Sequence, residues 1–153
     1  MKIADFIVPE LVFPSLQETE KISVLRELAT RLAEVSRAAS AETLFRVLHD
    51  REVQASTAVG EGVAIPHGKH DAIGRLLACV ARSPGGVEFG SIDGKPTHLF
   101  VVLVWPESST GLHLKALARI SRVFKDASFR ARMMAATGAA EMHAALVERD
   151  ALC

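Results

Sequence analysis

The sequence predicts an α/β fold: a mixed β-sheet covered by helices, three layers in a single domain spanning residues 1–153. Three observations carry this. Helical and strand periods alternate along the chain. The segment 98–105 is almost wholly apolar and rich in Val, the pattern of a central strand covered on both faces. Asp93-Gly94, a strong turn signal, stands just before it and implies an antiparallel pair.

The elements follow in order. Thr19 is the expected N-cap of a first helix running toward Ser36, with Ile22, Leu25, Ala29, Leu32 and Ser36 repeating at helical spacing on one face. Ser40 caps a second helix that turns Leu44, Val47 and Leu48 inward and ends near Asp50. A short apolar strand, 76–81, ends at Arg82, and Ser83-Pro84-Gly85-Gly86 breaks it. Val87-Glu88-Phe89 is a short alternating piece. Pro106 ends the central strand. Ser108-Ser109-Thr110-Gly111 introduces a helix of about 14 residues, a usual length. His113, Leu117, Ile120 and Phe124 form its apolar stripe, with Lys115, Arg119 and Arg122 on another face. Two helical segments, 128–136 and 139–149, complete the chain.

Composition narrows the function. Hydrophobic residues make up 49% and charged residues 24%, which describes a folded globular protein rather than a disordered one. The 18 Lys and Arg balance 18 Asp and Glu. That balance argues against a general nucleic-acid binder, which carries a basic excess, and against a membrane-surface protein held by charge. It hides one local excess: Lys115, Arg119, Arg122, Lys125, Arg130 and Arg132 against Asp126 alone. Cys79 and Cys153 make no disulfide framework and suit a reducing compartment. The first residues hold no signal-peptide apolar stretch, and no apolar run approaches the roughly 20 residues of a membrane span. The expectation is a soluble, cytoplasmic domain with no membrane insertion.

The chemistry concentrates in segment 51–70, where three glycines and a proline interrupt polar residues. Pro66 fixes the backbone before His67, and Gly68 lets another chain or a phosphate come close behind it. The histidine would be presented outward and rigidly. This is no P-loop: five residues separate Gly62 from Gly68, and His70 follows Lys69. Gly60-Glu61-Gly62 lacks the third glycine of a dinucleotide fingerprint. His67 and His70 fall short of a zinc ligand set, and the two separate cysteines do not complete one. His113, first on its stripe, points toward the sheet, at a helix N-terminus whose backbone N–H groups favour an anion.

These residues carry a resemblance. Glu52, Val59, Gly60 and Val63-Ala64-Ile65-Pro66-His67-Gly68 are similar to the active-site signature of the enzyme IIA domains of the bacterial phosphotransferase system, fructose/mannitol type. Arg51-Glu52 before Ser56-Thr57, Ile92-Asp93-Gly94-Lys95-Pro96, Val104-Trp105-Pro106-Glu107, His113-Leu114 and Leu117-Ala118 fall in the family's order, so the likeness covers nearly the whole chain. His70 is outside the pattern, and Trp105 is bulkier than the residue expected there.

The resemblance implies that His67 is the phosphoryl acceptor, that His113 is its active-site neighbour, and that Arg51 helps hold the phosphate. It implies no cofactor or metal. Physical chemistry agrees: neutral imidazole is nucleophilic near pH 7, and phosphoryl transfer is largely positioning plus stabilisation of the phosphoryl oxygens. Arg51 would supply a bidentate charged contact, and Ser56, Thr57 and the loop backbone at Gly68 neutral donors. Phosphorylation would add about two negative charges. The implied donor is an HPr-type protein, and the implied regulated partners are a transporter, a sensor kinase or a IIB component. The chain's length looks most like the nitrogen-regulatory branch. The alternatives are a IIA component of sugar uptake and a regulatory module that works by binding alone. A IIB-type domain, which uses a cysteine acceptor in a loop, is disfavoured because Cys79 lies within an apolar strand. A zinc hydrolase is a distant third.

Overall fold

A six-stranded mixed sheet separates two helical layers. The computed structural model describes residues 1–109 and 111–153; Thr110, within the predicted lead-in to the third helix, lies outside the described residues. The strands are β1 (Val12–Phe13), β2 (Ala58–Gly60), β3 (Val63–Ala64), β4 (His67–His70), β5 (Leu77–Val87) and β6 (Thr97–Pro106). The helices are α1 (Lys21–Ser36), α2 (Ala41–Glu52), α3 (Leu112–Phe124), α4 (Ala127–Ala135) and α5 (Ala139–Asp150). The order across the sheet is β1-β5-β6-β3-β2, and β4 continues beside β6 beyond β3. β5 and β6 pair antiparallel; β3 and β4 both run parallel to β6.

The near-continuous apolar run of β6 has a simple cause. Leu99, Val101, Leu103 and Trp105 point into the core under α3, α4 and α5. Phe100, Val102 and Val104 point into the other core, under α1 and α2. Every side chain from Leu99 to Trp105 is buried, so no polar alternation is possible there. Cys79 lies wholly inside the second core, and burial pushes its thiol up to about 12, so it is inert.

Local details depart from the sequence reading in instructive ways. Glu20, not Thr19, is the N-cap of α1, and its side chain makes no capping bond. The lead-in is held from inside the helix: the Glu27 carboxylate accepts the backbone N–H groups of Gln17 and Glu18 at 2.9 Å and is paired with Arg31. The buried face is Val24, Leu25, Leu28, Ala29 and Leu32, while Ile22 is 49% exposed. The apolar stripe is centred on the leucines, which leaves Ile22 at its margin. The Ser40 cap is present, accepting the Thr43 N–H at 3.0 Å, but α2 runs on to Glu52, two residues beyond Asp50. That last turn carries Arg51 and Glu52.

Ser83-Pro84-Gly85-Gly86 does not end β5. The strand continues through it with a register shift between Arg82 and Val87, a bulge that accommodates the proline's missing N–H. Gly86 sits there at φ +83, and a Cβ on it would meet the His98 ring at 2.9 Å. The Asp93-Gly94 turn forms, with Gly94 N–H donating to the Ser91 carbonyl at 3.0 Å.

Part of the predicted basic excess is neutralised in three dimensions. Arg119 pairs with the buried Asp150, Arg132 lies 2.5 Å from Glu148, and Arg130 donates to the Phe124 and Lys125 carbonyls at the end of α3. Asp150 and Glu148 are distant in sequence from their partners, which is why a count along α3 and α4 missed them. No helix among the described residues is long and apolar enough to cross a membrane.

Candidate functional site

A cleft of about 890 Å³ opens at the C-terminal ends of β4 and β6, between the last turn of α2 and the first turn of α3. This is the edge of an open α/β sheet where ligand sites generally form. Four of the sequence-predicted residues line it: Arg51, His67, Gly68 and His113.

His67 begins β4. Ile65-Pro66 interrupts the pairing of β3 and β4 with β6, because Pro66 has no N–H to donate; its carbonyl still accepts the Leu103 N–H at 3.0 Å. The chain is thereby locked on both sides of the histidine. The His67 side chain is half-buried rather than presented outward. Its Nδ1 lies 2.6 Å from the Ile65 carbonyl oxygen. A carbonyl only accepts, so Nδ1 carries the hydrogen and the neutral ring keeps a bare lone pair on Nε2. Burial is the main influence on its ionisation and pushes the ring below its ordinary 6.5. The Ile65 hydrogen bond opposes this, the Arg51 guanidinium adds to it, and the Glu52 carboxylate opposes it. His67 is therefore neutral and nucleophilic near pH 7.

His113 turns toward the sheet, as its stripe position predicts. Its Nδ1 lies 3.0 Å from Ser109 Oγ. When that hydroxyl donates, the neutral ring carries its hydrogen on Nε2, a donor for an anionic oxygen. Trp105, at the end of β6, stacks on both histidines: ring centroids are 5.8 Å apart at 16° for His67 and 4.6 Å at 9° for His113.

Arg51 lines the cleft and donates from Nη1 to the Ala55 carbonyl at 2.8 Å, which steadies both the arginine and the following loop. Gly68 is where α2 and β4 come close; a Cβ there would lie 2.5 Å from Val47 Cγ1. Its role in the structure is close chain approach. Ser56 and Thr57, predicted as phosphate donors, do not line the cleft. Ser56 Oγ donates to the Phe89 carbonyl at 2.8 Å, and the buried Thr57 donates to Glu52 at 2.5 Å. Their hydroxyls bind the loop to the body of the protein. His70 leaves β4 on the face opposite His67 and borders the cleft. Its Nδ1 accepts the Ala72 N–H at 2.9 Å. Among the described residues, no three His, Cys, Asp or Glu side chains are grouped to hold a metal ion.

Sequence reasoning missed three contributors. Ser109 lies four residues before His113, a spacing that offered a local signal. Glu52 had no such signal for its role. Its carboxylate is buried, accepts the Thr57 N–H at 2.9 Å, and pairs at 2.9 Å with Lys21 from α1. The stacking of Trp105 arises from residues on three different elements.

Architecture and cleft are those of the enzyme IIA domains, phosphotransfer carriers with this α/β fold. The chain belongs to the family described as "Phosphoenolpyruvate-dependent sugar phosphotransferase system, EIIA 2", which it matches over residues 5–149. It is 38% identical over 146 residues to a nitrogen regulatory protein of Bradyrhizobium diazoefficiens, covering 95% of each chain. It is 30% identical over 136 residues to the fructose-specific EIIABC component of Bacillus subtilis, covering 89% of this chain and 21% of that one. The crystal structure of nitrogen regulatory protein IIA-Ntr from Neisseria meningitidis superposes with a TM-score of 0.86 at 32% identity, covering 94% of this chain and 98% of that one.

Proposed function

We propose that the chain is a phosphohistidine carrier of the nitrogen-regulatory type, accepting a phosphoryl group on His67 Nε2 from an HPr-type protein. One observation carries this reading: the His67 Nδ1 hydrogen bond to Ile65 leaves Nε2 as the bare nitrogen, in a cleft shared with Arg51 and His113. The 38% identity to the Bradyrhizobium nitrogen regulatory protein over 95% of each chain, and the 32% identity to the Neisseria IIA-Ntr structure, favour that branch over sugar uptake.

The transfer needs no separate base. The Nε2 lone pair forms a bond to phosphorus as the donor's phosphorus–nitrogen bond breaks, and the electron pair returns to the donor imidazole. The catalytic work is positioning and charge stabilisation. The Arg51 guanidinium and the His113 N–H are the donors set for the phosphoryl oxygens. Leu114, 62% exposed on the first turn of α3 and lining the cleft, offers an apolar edge against which a protein donor would seat. The added charge then changes the surface that a regulated partner, such as a transporter, a sensor kinase or a IIB component, would read. Such a relay suits a cytoplasmic protein.

The test is incubation with enzyme I, an HPr homologue and labelled phosphoenolpyruvate. Acid-labile label appears on the wild-type protein and is absent from His67→Ala. Label persisting on His67→Ala would overturn the assignment.

A further inference from the structure

Trp105 is the protein's single tryptophan, and its ring is common to both site histidines. It is 8% exposed, so a protein donor in the cleft meets little of it. We propose that Trp105 is a positioning residue for phosphoryl transfer: its indole face sets the plane of His113 relative to His67, so that His113 meets the phosphoryl group in a productive orientation. The inference rests on the reading of His67 as acceptor.

The geometry supports this in three steps. Among the described residues, each histidine has one ring hydrogen bond, His67 to the Ile65 carbonyl and His113 to the Ser109 hydroxyl. A single hydrogen bond fixes where Nδ1 points and leaves the tilt of the ring about that direction open. The tilt is set by what lies on the ring face, and for both rings that is the indole, within 16° of parallel. Offset-stacked aromatic pairs are favoured beyond the area they bury, so this orientation is held and not merely permitted.

His113 sits at the start of α3. It is the second residue of α3, whose N-cap is Gly111 with no side-chain capping bond. An uncapped first turn is the part of a helix most ready to fray. The indole projects from the central strand β6 and is anchored in the core with Leu103 and Ala116. Stacking at 4.6 Å ties the uncapped end of α3 to a buried strand in the middle of the sheet.

The third step is the sensitivity of the chemistry. Transfer depends on donors placed to within a fraction of an ångström, and a displacement of about 1 Å can cost on the order of a hundredfold. A leucine at 105 would fill much of the volume and offer no flat face.

The experiment measures phosphoryl transfer from the phosphorylated HPr homologue to wild type, Trp105→Phe, Trp105→Leu, His113→Ala and the Leu/Ala double variant. Trp105→Leu is expected to lose roughly tenfold or more in kcat with the donor KM unchanged, because the indole touches the histidines and not the donor. Trp105→Phe, which keeps a ring face, retains most of the rate. The double variant loses less than the product of the two single losses, because much of the effect of Trp105 passes through His113. A Trp105→Leu protein as fast as wild type, or losses that multiply in the double variant, would overturn the proposal. Trp105→Met takes the place of Trp105→Leu in the cycle if the leucine protein does not fold. Proton NMR of the imidazole rings reads the stack without any phosphorylation: both histidines show ring-current shifts that Trp105→Leu removes. Shifts absent from wild type would overturn the stack itself, whereas failure of His67 to take label in wild type would sink the carrier reading alone.

Discussion

Gly68→Ala probes the join between the two halves of the site. α2 brings Arg51 and β4 brings His67, and the elements meet where Gly68 faces Val47. A methyl group at 68 would lie 2.5 Å from Val47 Cγ1 and 3.3 Å from the Val47 carbonyl oxygen. Carbon atoms in contact prefer about 3.5–4.0 Å, so roughly 1 Å of movement is demanded. Val47 cannot readily rotate away, because a β-branched residue in a helix has one strongly preferred rotamer. The helix must move instead. Overpacking of this kind costs about 1–3 kcal/mol, and for a chain of this size each kcal/mol lowers Tm by roughly 2–4 °C. The expected fall is therefore about 2–12 °C, with a slower phosphoryl transfer because Arg51 moves with the helix. Thermal unfolding followed by circular dichroism, beside the transfer assay, measures both. Adding Val47→Ala removes the clashing methyl, so the pair of substitutions should be less destabilising than their sum by about 1 kcal/mol. An unchanged Tm for Gly68→Ala, or strict additivity of the pair, would refute the reasoning.

Three further outcomes are expected. The rate of transfer to His67 falls on acidification with a midpoint below 6.5, since burial lowers the ring's pKa. The same depression gives a contribution to stability that is complete above 6.5 and lost as pH falls through the folded value; a transfer midpoint above 6.5 would contradict both. Glu52→Gln should move the His67 titration, followed by NMR, to still lower pH and Arg51→Gln to higher pH, because the carboxylate favours imidazolium and the guanidinium opposes it. Asp150→Ala removes the buried partner of Arg119 and the acceptor of the Ile3 N–H at 2.6 Å. The loss should be about 3–5 kcal/mol, read by denaturant unfolding, and a change near zero would show that the clasp between the termini contributes nothing.

Much of the fold and the heart of the site were legible along the chain. The Ser40 cap, the Asp93-Gly94 turn and the apolar run of β6 obey rules that act within a few residues, so each could be read where it stands. Pro66 and Gly68 marked His67 for the same reason: a missing N–H and a missing Cβ have local consequences. Other features were not legible. Ser56 and Thr57 look like phosphate donors in a loop, yet Phe89 and Glu52 claim their hydroxyls. Ser83-Pro84-Gly85-Gly86 reads as a break, yet pairing with β6 carries the strand through it.

The sequence by itself determined the α/β architecture, the family, and the pair of histidines, because composition, periodicity and a contiguous motif suffice for these. Only the tertiary structure decided that Trp105 stacks on His67 and His113 and that Arg119 and Arg132 are neutralised. Those properties depend on groups brought together from distant parts of the chain. Packing forces hold such contacts to a few tenths of an ångström, and no local pattern encodes that distance.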